Sequence, residues 1–279
     1  MPGTLYVVAT PIGNLGDLSP RAAEVLRSVG AIVAEDTRRS LRLLAHLGAP
    51  APAMMSLPAF DERGRVGAVL ERLAAGEDIA FCTDAGTPGI SDPGQHLVAA
   101  AWNAGARVVP IPGPCAAVTA LAACGLPSDR FFVQGFLPRK GQKRAEVLAQ
   151  LASIPATVIV YEAGNRTGET LRDLGAALGD RPAAVARELT KMHEEIARGA
   201  LSELAVRFAD GARGEVTIVI APGSAEAKAV VAEPEPIEVD LARRLAAGGA
   251  PSAIAREVAR ERGLKRGEVY SALQRLKNR

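Results

Sequence analysis

The chain has 279 residues, 48% apolar and 23% charged, with a formal net charge of +2. That length is enough for about two domains burying roughly three-quarters of the unfolded surface, so wholesale disorder is excluded. No apolar run reaches the roughly 18–20 residues of a membrane helix; the longest candidate, Pro114 to Leu126, is short and alanine-rich.

Met1-Pro2-Gly3-Thr4 has no basic n-region, so no signal peptide is expected and the predicted compartment is the cytoplasm. Cys82, Cys115 and Cys124 form no C-x-x-C pair, and His46, His96 and His193 are far apart, so neither disulfides nor a metal site is predicted. Charge is uneven. Residues from Asp240 to Arg279 hold ten Lys/Arg against four Asp/Glu, while the first 239 hold 23 against 27. A near-neutral body with a basic tail fits a nucleic-acid partner or a solvated helical face.

Strands are predicted at Thr4–Ala9, Ile79–Thr83, Arg107–Ile111, Phe131–Gln134, Thr157–Tyr161 and Val216–Ala221, with a further strand ending near Glu35. Their near-continuous apolar character suits strands covered on both faces. Amphipathic helices are predicted at Pro20–Val29, Val66–Ala75 and His96–Ala104, which makes the pattern α/β. Ser19-Pro20 and Asp92-Pro93 read as N-caps, and Gly48 and Gly105 as C-terminal stops. The predicted organisation is an N-terminal α/β domain over 1–119, a second α/β domain over 120–223, a linker over 224–239 and a small basic helical domain over 240–279. The last has helices at Leu241–Ala247, Ser252–Arg262 and Gly267–Leu276.

Three glycine-proline loops come after strands: Thr10 to Asp17, Thr83 to Gly94, and Pro110 to Ala117. Each leaves a strand's carboxyl end, the edge where open α/β sheets bind ligands. Glycine lets backbone approach a ligand and proline keeps the loop stiff. The loops match neither G-x-G-x-x-G nor G-x-x-x-x-G-K-[ST], which disfavours a dinucleotide or Walker site.

These loops, with Ala34-Glu35-Asp36-Thr37-Arg38-Arg39, Tyr161-Glu162 and Ala186-Arg187-Glu188-Leu189-Thr190-Lys191, resemble the ribosomal RNA small subunit methyltransferase I family, of the tetrapyrrole-methylase class. The resemblance runs from Thr4 to about Ala221. It implies two α/β domains with S-adenosylmethionine (SAM) in the cleft between them. It implies 2′-O-methylation of a cytidine ribose in 16S rRNA near the decoding centre, by a homodimer; the lack of metal-ligand spacing predicts that SAM binds without a metal. By that resemblance Pro11, Asp84, Gly86, Thr87, Pro88, Ile90, Cys115, Ala116, Tyr161 and Leu189 border the cofactor. Asp36 and Glu35 are candidate bases. Arg38, Arg39, Arg139, Lys140, Lys143 and Arg144 are candidate RNA contacts, guanidinium being suited to phosphate.

The chain departs from the family pattern at Ser56 to Glu62 and at Ala163-Gly164-Asn165-Arg166, where relatives often carry histidine, so no histidine base is available there. Two other readings stay open: a methyltransferase acting on a tetrapyrrole, and a non-catalytic RNA-binding protein with a degenerate cleft. The basic tail speaks against the first and the intact loops against the second.

Overall fold

The computed structural model describes residues 2–58, 61–223, 237–246, 250–262, 264 and 266–277. The chain forms two compact units, Met1–Ala227 and Lys228–Arg279.

The first unit opens with β1 (Thr4–Val8), α1 (Pro20–Ser28), β2 (Ala31–Ala34), α2 (Thr37–His46), β3 (Ala53–Ser56), α3 (Glu62–Ala74), β4 (Ile79–Cys82), α4 (Gln95–Asn103) and β5 (Arg107–Ile111). These strands make one parallel sheet in the order β3-β2-β4-β1-β5. Side chains alternate across it. Ile79 and Phe81 of β4 join a core with Val69 and Leu73 of α3 and Leu97 of α4. Ala80 and Cys82 join another with Leu26 of α1 and Leu44 of α2. Both faces are covered, as the continuous apolar strands require. Ser19 caps α1 by accepting from Ala22 N–H at 3.2 Å, and Gly48 and Gly105 take φ of 61° and 73°.

Next come α5 (Ala116–Cys124), β6 (Phe131–Phe136), α6 (Gln142–Ala152), β7 (Thr157–Ala163), α7 (Thr167–Leu178), β8 (Pro182–Arg187), β9 (Glu195–Ala200), α8 (Leu201–Arg207) and β10 (Glu215–Ile220). This second sheet is ordered β6-β7-β10-β8-β9; only β6 and β7 are parallel. One face packs Val160, Val185 and Ile218 against α6, α7 and α8 through Leu148, Leu171 and Leu204. Helix α5 lies against the sheet from its other side, burying Ala117, Ala120, Leu121 and Cys124. The boundary predicted at 119/120 therefore falls inside α5; the change of sheet comes between β5 and β6. Strands β3, β8 and β9 are additions to the sequence reading: Ala-Met-Met-Ser, Pro-Ala-Ala-Val-Ala-Arg and Glu-Ile-Ala-Arg-Gly-Ala are too poor in β-branched residues to announce themselves.

The second unit holds α9 (Ile237–Ala246), α10 (Pro251–Arg262) and α11 (Arg266–Lys277) around Leu241, Ile254, Val258, Val269 and Leu273. The three predicted helices are present. Of the predicted linker, residues 224–236 lie outside the described residues, and from Ile237 the chain is already helical. Among the described residues no helix is long and apolar enough to cross a membrane.

Candidate functional site

Because β4, β1 and β5 are parallel neighbours, the three loops at their carboxyl ends emerge side by side. They are stitched together. Thr10 and Gly86 exchange backbone hydrogen bonds of 2.8 and 3.0 Å. Thr87 Oγ1 donates to the Pro114 carbonyl at 3.0 Å, and a Cβ on Gly113 would come within 2.9 Å of Ala9 Cβ. Gly86 sits at φ 81°, a left-handed conformation in which glycine has no steric cost. The loop after β4 ends differently from the sequence expectation. Asp92 does not cap α4. The helix begins at Gln95 with Gly94 as N-cap residue, and Glu62 of α3 supplies the acceptor: its Oε1 takes the N–H groups of Gly94, His96 and Leu97 at 3.1, 2.8 and 3.0 Å.

The second sheet supplies the opposite wall. Tyr161 of β7 accepts from Ala117 N–H at 3.1 Å, so its ring stands against the start of α5, with Phe136 of β6 5.7 Å away between ring centres. The β8–β9 turn brings Glu188 and Thr190 at φ 51° and 66°. Thr190 Oγ1 accepts from Asn14 N–H at 3.1 Å, and a Cβ on Gly13 would lie 2.7 Å from Lys191 Cγ, so the first loop and this turn fit without space between them. Ser91, at φ 63°, is the third left-handed non-glycine residue among those described, and all three are at this site.

Between the walls lies a cavity of about 270 Å³, lined by five carboxylic residues, Glu35, Asp84, Asp92, Glu188 and Glu215, and two cationic ones, Arg39 and Lys191. Asp84 accepts from Asp36 N–H at 3.1 Å and pairs with Arg39 at 3.3 Å. Burial, then the charge of Asp84, raises the Glu35 carboxyl above its ordinary value. Burial, then the charge of Glu35, pushes Asp92 up to about 6. Burial also raises the Tyr161 phenol, while the Lys191 ammonium at 2.8 Å holds Glu188 low.

Of the residues expected at the cofactor, Asp84, Gly86, Thr87, Ile90, Cys115, Ala116, Tyr161 and Leu189 line this cavity. Pro11 lines a neighbouring hollow of about 160 Å³ with Thr10, Leu15 and Arg42, and Pro88 lies in the loop without reaching the wall. Glu35 lines the cavity; Asp36 does not. Asp36 caps α2 through Arg38 N–H at 2.9 Å and grips the Arg38 guanidinium at 2.9 and 2.6 Å, which brings its carboxyl down to about 2. A carboxylate held that low is a poor proton acceptor. Arg38, Arg39, Arg139, Lys140 and Lys143 are exposed. Arg144 is not. It is 7% exposed and gives its guanidinium to Asp173, the Pro138 carbonyl and Thr170 at 2.8, 3.0 and 2.9 Å, so the expected surface contact is a structural ion pair. Thr170 passes the network on to buried Glu162 at 2.7 Å, which also holds Arg166. Residues the sequence reading did not select include Asp92, Phe136, Glu188, Lys191, Glu215 and Thr217. Among the described residues no group of three or more His, Cys, Asp or Glu could hold a metal ion.

The sequence profile of the tetrapyrrole (corrin/porphyrin) methylases matches residues 4–205. A cobalt precorrin-4 methyltransferase of cobalamin biosynthesis has the same fold, with a TM-score of 0.58 at 19% identity over 78% of this chain and 94% of its own. The chain belongs to the tetrapyrrole methylase family. Within that class it sits with the proteins named ribosomal RNA small subunit methyltransferase I. The one from Xylella fastidiosa is 45% identical over 96% of this chain and 98% of its own length. The one from Synechocystis is 44% identical over 96% of each.

Proposed function

We propose that this protein transfers the methyl group of SAM to the ribose 2′-hydroxyl of a cytidine in 16S rRNA, near the decoding centre, working as a homodimer in the cytoplasm. The observation that carries this reading is one of extent. The tetrapyrrole methylase profile ends at residue 205, whereas the similarity to rRNA methyltransferases takes in nearly the whole chain, including the basic unit that a small porphyrinoid substrate does not need.

The cavity suits SAM. Five carboxyl groups against two cations favour a ligand with a net positive charge, and Gly86 puts bare backbone on the wall. Gly86 and Thr87 would hold it through backbone, Asp84 through its carboxylate, and Ile90, Ala116 and Leu189 by apolar contact. SAM supplies a methyl group on a sulfonium that is already a good leaving group. The chain adds orientation, which is worth up to about 7–11 kcal/mol in such reactions, and a place for the proton. Exposed Arg38, Arg39, Arg139, Lys140 and Lys143 are candidate phosphate contacts. Support for a dimer is β6, an edge strand with Phe131 and Phe132 exposed.

Labelled SAM offered with under-methylated small subunits, free 16S rRNA and a tetrapyrrole precursor tests the reading. Label in a cytidine ribose is expected, and label in the tetrapyrrole alone would overturn it. Deleting Lys228 onward is expected to leave SAM affinity within about threefold. It should also weaken subunit binding and flatten its salt dependence, because fewer counterions are then released.

A further inference from the structure

Asp92 is spared the role its sequence position suggests. Asp-Pro before a helix is an N-cap pattern, yet Glu62 takes the free N–H groups of α4 and the helix begins three residues later. Asp92 lines the cavity instead. The chain on either side of it is fixed. Gly89 N–H donates to the Pro93 carbonyl at 3.1 Å. Ser91 is held left-handed against β6, where a Cβ on Gly135 would fall 2.6 Å from its Oγ. Strain stored beside a cleft carboxylate, and paid for by packing from the other sheet, is the arrangement of a positioned functional group.

Two of the other cleft carboxylates are held by cations. Asp84 is bound to Arg39 and to a backbone N–H, and Glu188 to Lys191. Asp36 is off the wall and committed to Arg38. Glu215 and Glu35 remain as rivals. Glu215 is exposed at the start of β10. Glu35, which burial and the charge of Asp84 raise against the backbone of Asp84 and Arg39, has no left-handed residue beside it as Asp92 has in Ser91. The charge of Glu35 in turn opposes ionisation of Asp92.

We propose that Asp92 is the proton acceptor for the acceptor hydroxyl, an inference that rests on the ribose-methylation reading above. The O–H bond breaks and its proton passes to a carboxylate oxygen of Asp92. The electron pair left on oxygen forms the bond to the methyl carbon. The carbon–sulfur bond breaks with its pair kept on sulfur, giving a neutral thioether. A general base works best with a pKa near the working pH, and burial together with Glu35 brings Asp92 to about 6. The groups acting on it are Glu35 after β2, the Thr83 hydroxyl just after β4, which favours the charged form, Asp84 after β4, Glu215 of β10 and the neutral Tyr161 phenol of β7; Arg39 and Lys191 are the cations of the same cavity.

The test uses the full-length protein and three readouts: SAM affinity by calorimetry, single-turnover methyl transfer to small subunits across pH, and a carbon-13 NMR titration of the Asp92 carboxyl without SAM. Asp92→Asn is expected to bind SAM within threefold of the parent. Its transfer should fall at least about 100-fold, with loss of the acid limb of the pH profile. Removing the neighbouring charge in Glu35→Gln is expected to lower the Asp92 titration and move that limb to lower pH. If Asp92→Asn transfers within threefold of the parent, or loses SAM affinity along with activity, Asp92 is not the acceptor. The same holds if the carboxyl titrates at the ordinary aspartate value. A parent chain that labels ribose while Asp92→Asn is unimpaired overturns this inference alone; a parent that labels no ribose overturns the functional reading and this one with it.

Discussion

The two sheets of the first unit meet at one cavity but furnish it in different ways. The parallel sheet contributes loops rather than strands: three of them, their backbones tied to each other, with the carboxyl groups Glu35, Asp84 and Asp92 beyond the strand ends. The mixed sheet contributes Tyr161 and Thr217 from its strands and a strained turn carrying Glu188 and Lys191. One side is therefore a backbone cradle that depends on glycine; the other is a wall that depends on the interior behind it. Equal-looking substitutions on the two sides should thus fail for different reasons.

The sharpest way to break that contrast is Gly86→Val. A side chain at φ 81° is strained, and its Cβ would lie 3.3 Å from Ile12 Cγ2. SAM affinity is expected to fall at least about 100-fold by calorimetry, with the far-ultraviolet dichroism of the parent retained; parental affinity would mean the cradle is elsewhere. On the other side, Glu162→Gln strikes behind the wall. Glu162 is buried, and its pairing with Arg166 and Thr170 lowers its pKa despite the opposing effect of burial. Breaking that pairing should cost about 3 kcal/mol in urea unfolding while SAM affinity changes little. Since the folded value lies below the ordinary 4.5, the parent should keep this stabilisation above pH 4.5 and lose it as pH falls through the folded value; the variant should lack that acid dependence. The smallest effect is expected from Asp36→Asn. Asparagine caps helices as well as aspartate does, and the position is off the cavity wall, so methyl transfer should change by less than threefold. A large loss would return Asp36 to the reacting centre.

The same contrast explains which parts of the molecule are legible in its sequence. The parallel half is readable because its strands are continuously apolar and its loops are punctuated by glycine and proline, signals that depend only on local chain chemistry. Asp92 stands inside one of those recognisable loops, but its local pattern points to the wrong role, because the true helix cap comes from Glu62, about thirty residues earlier in the chain. Arg144 looks like its neighbours Lys140 and Lys143 and differs only in the groups α7 places beside it. Glu215 and Thr217 reach the cavity from β10, whose place in the middle of the mixed sheet no local pattern encodes.

Ser91, Glu188 and Thr190 are residues with side chains where glycine would be more comfortable. This bears on attempts to improve the protein. A laboratory selection for heat resistance is expected to favour glycine or asparagine at these positions, because either relieves left-handed backbone strain. Each such gain would free the chain beside Asp92 or at the join between Asn14 and Thr190. Thermotolerant descendants would then be slow enzymes, and restoring their speed would mean putting the discomfort back.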